Sequence, residues 1–213
     1  MLVSPSIISS KLENLGDQIA ECDRSGVFSY HLDVMDGHFV PNLTMGPDLV
    51  RAVRRCTKKT IETHLMIERP DKFYKPFIEA GSDILLVHEE CLVDLRRLIS
   101  GIRDENAKFG LVINPETPFE KIRDLIDEAE ILLIMSIRPG FSGQKFMESI
   151  LPKISEAKKY IVDQGLNTKI EIDGGINDET GRKCADAGAD ILVSATYIFS
   201  GKIGERINKL QVL

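Results

Sequence analysis

The stretch HLDVMDGHFVPN, His31–Asn42, begins as a buried strand and ends as a turn. Two histidines and two aspartates fall within its first eight residues, and Pro41-Asn42 closes it. Side chains two apart on a strand share one face, so His31 and Asp33 lie together while Leu32 and Val34 lie on the other face. If His31 and Asp33 faced covering helices they would be buried without partners, at a cost on the order of several kcal/mol. The reading that avoids this cost turns both toward a shared interior, with Asp33 nearer the strand's C-terminal end.

Seven further apolar runs show the same layout. With the first they occupy 2–8, 30–35, 61–67, 83–88, 109–114, 131–137, 169–173 and 190–195, and are rich in Ile, Val and Leu. Most do not alternate, as expected of parallel strands covered on both faces. Amphipathic helical segments lie between them at 12–25, 46–56, 70–80, 91–105, 117–128, 148–164, 178–187 and 203–210. Pro70-Asp71, Thr117-Pro118 and Asn177-Asp178 supply start signals, and Gly26, Gly81, Gly165 and Gly188 supply stops. Eight strand–helix units in just over two hundred residues most economically close into a single α/β domain over 1–213, a (β/α)8 TIM barrel. The alternative, an open doubly wound sheet, calls for a Gly-rich dinucleotide loop after the first strand, and SPSIISSKLENLG contains no GxGxxG.

Composition narrows the class of partner. Hydrophobic residues make up 43% and charged residues 28%, as in ordinary globular proteins. With 27 basic against 33 acidic residues the net charge is -6, which argues against a nucleic-acid partner. The longest aliphatic run, ILLIM at 131–135, is far short of the roughly 20 residues a membrane span needs, so no membrane partner is expected. MLVSPSIISS lacks the basic and apolar regions of a signal peptide. Cys22, Cys56, Cys91 and Cys184 form no CxxC pair and read as reduced thiols with packing roles. Together these features lead us to expect a cytoplasmic protein.

In a barrel of this kind, active sites form where strands end and the following loops begin. Strand two brings His31 and Asp33 there, strand three His64, strand four His88 and Glu90, and strand seven Asp173. Singly, each passes for a hydrogen-bonded core histidine or a turn-forming aspartate. Taken together, His31, Asp33, His64 and Asp173 come from strands whose ends surround one mouth. Two imidazoles and two carboxylates suit one divalent metal: Zn²⁺, Fe²⁺, Mn²⁺ or Co²⁺. Gly140 to Gly143 follow strand six, Gly174-Gly175 strand seven and Ala195-Thr196 strand eight, where barrels build phosphate sites from backbone N–H groups. Met35, Met66 and Met135 end strands two, three and six, as core filling or as an apolar collar.

A phosphate anchor beside a metal and two aspartates suits a short sugar phosphate. Such a metal polarises a ketone and stabilises the enediolate left when the adjacent carbon loses its proton. Two carboxylates on opposite faces of that carbon then invert it without redox chemistry or cleavage.

SPSII, HLDVMDGHFVPN, THLMI, VHEE, PGFSGQKF, IDGGI and AGADILVSA resemble, in order and over essentially the whole chain, the motifs of the ribulose-phosphate 3-epimerase family. The resemblance implies that His31, Asp33, His64 and Asp173 are metal ligands and that Asp33 and Asp173 form the acid/base pair. It also implies substrate contacts from Ser6, His64, Met35, Met66, Met135, Gly140, Phe141, Ser142, Gly143, Gly174, Gly175, Ala195 and Thr196. The implied reaction interconverts D-ribulose 5-phosphate and D-xylulose 5-phosphate at C3, and family members are homo-oligomers.

Arg138, Ser142 and Ala195-Thr196 depart from the family's usual residues beside the phosphate segments. VINPETP (112–118) also resembles the sister branch that epimerises D-allulose 6-phosphate. A non-catalytic sugar-phosphate-binding barrel would not need the aspartate pair. Decarboxylases and aldol-type synthases of the same superfamily carry a strand-borne Lys, which HLDVMD lacks. Asp36 and His38 are read as shaping the loop.

Overall fold

Each of the eight apolar runs forms a strand in the computed structural model, which describes residues 1–213. They are β1 (Leu2–Pro5), β2 (Ser29–Met35), β3 (Thr60–Met66), β4 (Ile84–His88), β5 (Lys108–Ile113), β6 (Ile131–Met135), β7 (Lys169–Asp173) and β8 (Ile191–Ser194). All pair in parallel, in the order β1-β8-β7-β6-β5-β4-β3-β2. A parallel bridge between Ser6 and His31, and a bond from Phe28 N–H to the Val3 carbonyl (2.9 Å), bring β1 to β2 and nearly close the ring.

The helices α1 (Leu15–Arg24), α2 (Pro47–Cys56), α3 (Pro70–Glu79), α4 (Leu95–Asp104), α5 (Leu151–Asp163), α6 (Asp178–Ala187), α7 (Thr196–Phe199) and α8 (Ile203–Gln211) alternate with the strands. Asn177 caps α6, its side chain accepting from Glu179 and Thr180 N–H, and the Thr180 hydroxyl accepts in return from Asn177 N–H. Gly188, at φ 109°, ends that helix. None of the helices is long and apolar enough to cross a membrane.

Three local expectations change. The segment between β5 and β6 is a 3₁₀ helix, Phe119–Glu128, rather than an α-helix. At about 2.0 Å rise per residue, ten 3₁₀ residues span about 20 Å against about 15 Å for α, so the same segment reaches further between the two strands. The first strand stops at Pro5, because the Ser6 hydroxyl accepts from Ile8 N–H and opens a 3₁₀ turn, Ile7–Ser9. Of the four free cysteines only Cys22, Cys91 and Cys184 are buried; Cys56 is exposed at the end of α2, so it has no packing role.

Tyr30, Leu32 and Val34 belong to the core between strands and helices, whereas His31 and Asp33 face inward, the register the burial cost requires. The interior is divided by chemistry. Ile84, Leu86, Val112, Ile131, Leu133, Met135 and Ile191 pack as one apolar cluster dominated by β4, β5 and β6. Ser4, Ser6, Ser29, His31, Asp33, Glu62, His64 and Glu171 are buried on β1, β2, β3 and β7 or beside them.

Candidate active site

The four proposed metal ligands meet. His31, Asp33, His64 and Asp173 each offer one atom, and these atoms all lie within 4.8 Å of one another. His31 Nε2 is 3.5 Å from Asp33 Oδ1, 3.3 Å from His64 Nδ1 and 3.9 Å from Asp173 Oδ2. His64 Nδ1 is 3.3 Å from Asp33 Oδ1. The pairing register sets much of this geometry, since Asp33 lies directly opposite His64 across β2 and β3. Ser6 donates to Asp33 Oδ2 at 2.6 Å, and Thr44 ties the strand end by donating to the Asp33 carbonyl and accepting from Met35 N–H.

Burial and charge push the two aspartates in opposite directions. Burial favours protonated Asp33, but the positive charge and hydrogen bond of His31 hold it well below the usual carboxylate range. Burial and the neighbouring Asp33 charge push Asp173 up to about 7. Burial lowers His64 to about 3, so its ring is neutral. Burial also opposes charge on His31, yet Asp33, Glu171 and Glu62 outweigh it and keep His31 well above the ordinary histidine value. The set suits a divalent ion chemically: two imidazole nitrogens and two carboxylate oxygens converge within 4.8 Å of one another, the mixed nitrogen and oxygen set such an ion takes.

A cavity of about 260 Å³ opens beside this cluster, and its walls include Ser6, Asp33, Met35, Met66, Met135, Gly140, Phe141, Ser142, Gly143, Asp173, Gly174, Gly175, Ala195 and Thr196. Apart from Asp33 and Asp173, expected as the acid/base pair, these are residues expected from the sequence to contact substrate; His64, also expected to, is fully buried and does not line the cavity. Ile8, Ile137, Pro139, Gln144, Ile176, Asn177, Val193 and Tyr197 complete the wall; several lie within the quoted motifs, but none was expected to touch substrate. No Lys or Arg lines the cavity. Arg138 is outside it, and its guanidinium bonds Glu116 at 2.8 Å in solvent.

The loops of the mouth are fastened to one another. Asn42 Nδ2 donates to the Gly140 carbonyl (2.7 Å), and Gln144 donates to the Arg138 and Phe141 carbonyls. The Ser136 hydroxyl bonds the Asp173 and Gly174 carbonyls. At Gly175 (φ 64°) an added Cβ would stand 2.8 Å from Phe146 N and 3.1 Å from the Gln144 carbonyl, so glycine permits the loops after β6 and β7 to touch. Asp36 accepts from His38, Phe39 and Glu68 N–H, the loop-shaping role expected of it.

Two interior carboxylates escaped the sequence reading. Glu171 Oε1 is 3.1 Å from His31 Nδ1, and Glu62 Oε2 is 3.6 Å from the same atom. Both glutamates are fully buried, and burial together with the Glu62 charge raises Glu171. The signal was present, because Glu62 precedes His64 by two residues and Glu171 precedes Asp173 by two. The period-two rule that turned His31 inward turns these inward as well.

Comparison with known proteins places this arrangement. The sequence model of the ribulose-phosphate 3 epimerase family matches residues 2–199. A ribulose-phosphate 3-epimerase of Bacillus subtilis (strain 168) is 44% identical over 198 residues, 92% of this chain and 91% of the relative. A chloroplastic ribulose-5-phosphate-3-epimerase of Arabidopsis thaliana is 41% identical over 95% of this chain and 73% of its own length. Among solved structures, a 3-hexulose-6-phosphate synthase superposes with a TM-score of 0.74 at 13% identity, covering 100% of this chain and 99% of that one. At that identity the likeness speaks for the barrel alone. The family match spans nearly the whole chain, and the protein belongs to the ribulose-phosphate 3 epimerase family.

Proposed function

We propose that this protein inverts C3 of D-ribulose 5-phosphate to give D-xylulose 5-phosphate, with Asp33 and Asp173 as the proton-transferring pair. The observation that carries the reading is geometric: the two acids face one cavity with ligand atoms no more than 4.8 Å apart, beside the imidazoles of His31 and His64. In the metal-free chain Asp33 is held below the usual carboxylate range and Asp173 is pushed up to about 7. Titratable groups whose surroundings drive them apart are suited to opposite halves of an acid/base exchange.

The ionised carboxylate takes the C3 proton from one face of the substrate. The protonated carboxyl returns a proton from the other face, which inverts the centre. In the reverse direction the two residues exchange roles. His31, Asp33, His64 and Asp173 would hold one divalent ion (Zn²⁺, Fe²⁺, Mn²⁺ or Co²⁺), which when bound supplies Lewis-acid polarisation of the C2 carbonyl. The Ser6 hydroxyl orients Asp33. Met35, Met66 and Met135 keep water from the reacting carbon. The backbone of Gly140–Gly143, Gly174-Gly175 and Ala195-Thr196 takes the phosphate, which the lack of any cavity-lining Lys or Arg leaves to amide dipoles. Arg138 takes no part in this, since it is bonded to Glu116.

Product analysis with ribulose 5-phosphate and allulose 6-phosphate side by side, after metal reconstitution, tests the assignment. Xylulose 5-phosphate formed at the higher kcat/KM is the expected result. Preference for allulose 6-phosphate would move the protein to the hexulose branch, and turnover of neither would leave a binding barrel.

A further inference from the structure

His64 has a second nitrogen, and a line of buried groups leads away from it. His64 Nε2 is 2.8 Å from His88 Nε2 and the ring centroids are 5.0 Å apart, so the two nitrogens lie close to the line joining the rings, as a hydrogen bond between them requires. His88 Nδ1 is 3.0 Å from Glu90 Oε2. Glu90 Oε1 accepts from Asn114 N–H (2.9 Å) and from the Thr117 hydroxyl. Both imidazoles are fully buried, and Phe39 packs on His88 with centroids 4.8 Å apart. Lys153 anchors the far end by donating to the Asn114 and Pro115 carbonyls.

The direction of every bond in this line follows from its last member. A backbone N–H only donates, so Asn114 requires an acceptor at Glu90 Oε1. A carboxylate offers a second acceptor, Oε2, and His88 must place its proton on Nδ1 to meet it. His88 Nε2 is then a lone pair. It accepts from His64 Nε2–H, and His64 Nδ1 is left as the lone pair that faces His31, Asp33 and Asp173.

We propose that His88 and Glu90 are positioning residues that set the tautomer of His64, so that its Nδ1 is always available to a metal ion. This rests on the metal-dependent reading above. A glutamine at 90 cannot accept from both neighbours. With its carbonyl on Asn114 N–H, its NH₂ group faces His88 Nδ1. That reverses both imidazoles and places a proton on His64 Nδ1. Loss of such an outer partner typically weakens metal binding by about 10–100-fold.

The test uses the metal-free full chain and Co²⁺. Long-range ¹⁵N correlation spectra of ¹⁵N-histidine-labelled protein read the His64 tautomer directly, and competition with a chromophoric chelator gives the Co²⁺ Kd. The proposal requires the Nε2–H tautomer in the unmutated chain, the Nδ1–H tautomer in Glu90→Gln, and a Kd raised by about 10–100-fold in that variant. His88→Leu should weaken Co²⁺ equally, and His88→Gln, whose side-chain oxygen can accept from His64 Nε2–H, should restore the Kd to within about threefold; this pair decides the matter if Glu90→Gln does not fold. Tight Co²⁺ binding by the unmutated chain with no change in Glu90→Gln, or with His88→Leu and His88→Gln alike, overturns the relay and leaves the metal reading standing. No Co²⁺ binding by the unmutated chain overturns both.

Discussion

Asp173→Asn separates what this carboxyl does for catalysis from what it costs the fold. Without metal, burial and the Asp33 charge push Asp173 from 3.8 up to about 7. A group raised in the folded state contributes stability that is complete below its unfolded value and is lost as pH rises through the folded one. Between about pH 4 and pH 7 the unfolded chain therefore gains from ionising Asp173 while the folded chain does not. A shift of roughly 3 units corresponds to about 4 kcal/mol, of which relaxation at the cavity wall leaves roughly 2–4 kcal/mol. Asparagine removes the charge and keeps the shape. In EDTA at pH 8, Asp173→Asn should be more stable than the unmutated chain by that amount, a rise of about 1 M in the urea midpoint. At pH 5 the gain should shrink to under half. With metal restored, the same variant should lose about 10²–10⁴-fold in kcat, the usual worth of a positioned acid/base group. An unchanged or lowered urea midpoint at pH 8 would refute the claim that burial and the Asp33 charge raise Asp173, and unmutated kcat would remove the two-acid scheme.

Gly175→Ala forces a Cβ onto Phe146 N and the Gln144 carbonyl at a positive φ, so thermal unfolding should show a loss on the order of 1–3 kcal/mol. Steady-state kinetics should show KM for the sugar phosphate rising more than kcat falls, because the displaced loops line the cavity where the phosphate is proposed to bind. Arg138→Ala should leave kcat and KM within about twofold, since the guanidinium is held in an exposed pair typically worth about 0–1 kcal/mol. A KM increase of tenfold would place Arg138 on the phosphate after all.

What could be read from sequence followed physical periodicity. The inward register of His31 and Asp33 was legible because strands alternate and the opposite register would strand polar groups beneath helices. The barrel was legible because eight apolar runs alternated with amphipathic segments and lacked a dinucleotide loop. Glu62 and Glu171 obeyed the same alternation, but they lie one layer below the mouth, where attention to strand ends does not reach. His88 and Glu90 were visible at the end of β4. Their bond to His64 depends on the β3–β4 register, which pairs His64 with Leu86 and so sets His88 two residues further along. Local sequence carries no record of that pairing. Arg138 looked like a threat to the phosphate segment, and its direction was decided by Glu116 on a different loop. The 3₁₀ form of Phe119–Glu128 was hidden because the buried residues Phe119, Ile122 and Ile126 are spaced i, i+3, i+7, the stripe of an α-helix.

The central claim is that a carbon-bound proton leaves on one carboxyl and a different proton arrives from the other. Turnover of ribulose 5-phosphate in D₂O, followed by NMR of the product, measures this directly. The account predicts xylulose 5-phosphate carrying deuterium at C3. Inverted product that retains the original hydrogen at C3 would contradict it.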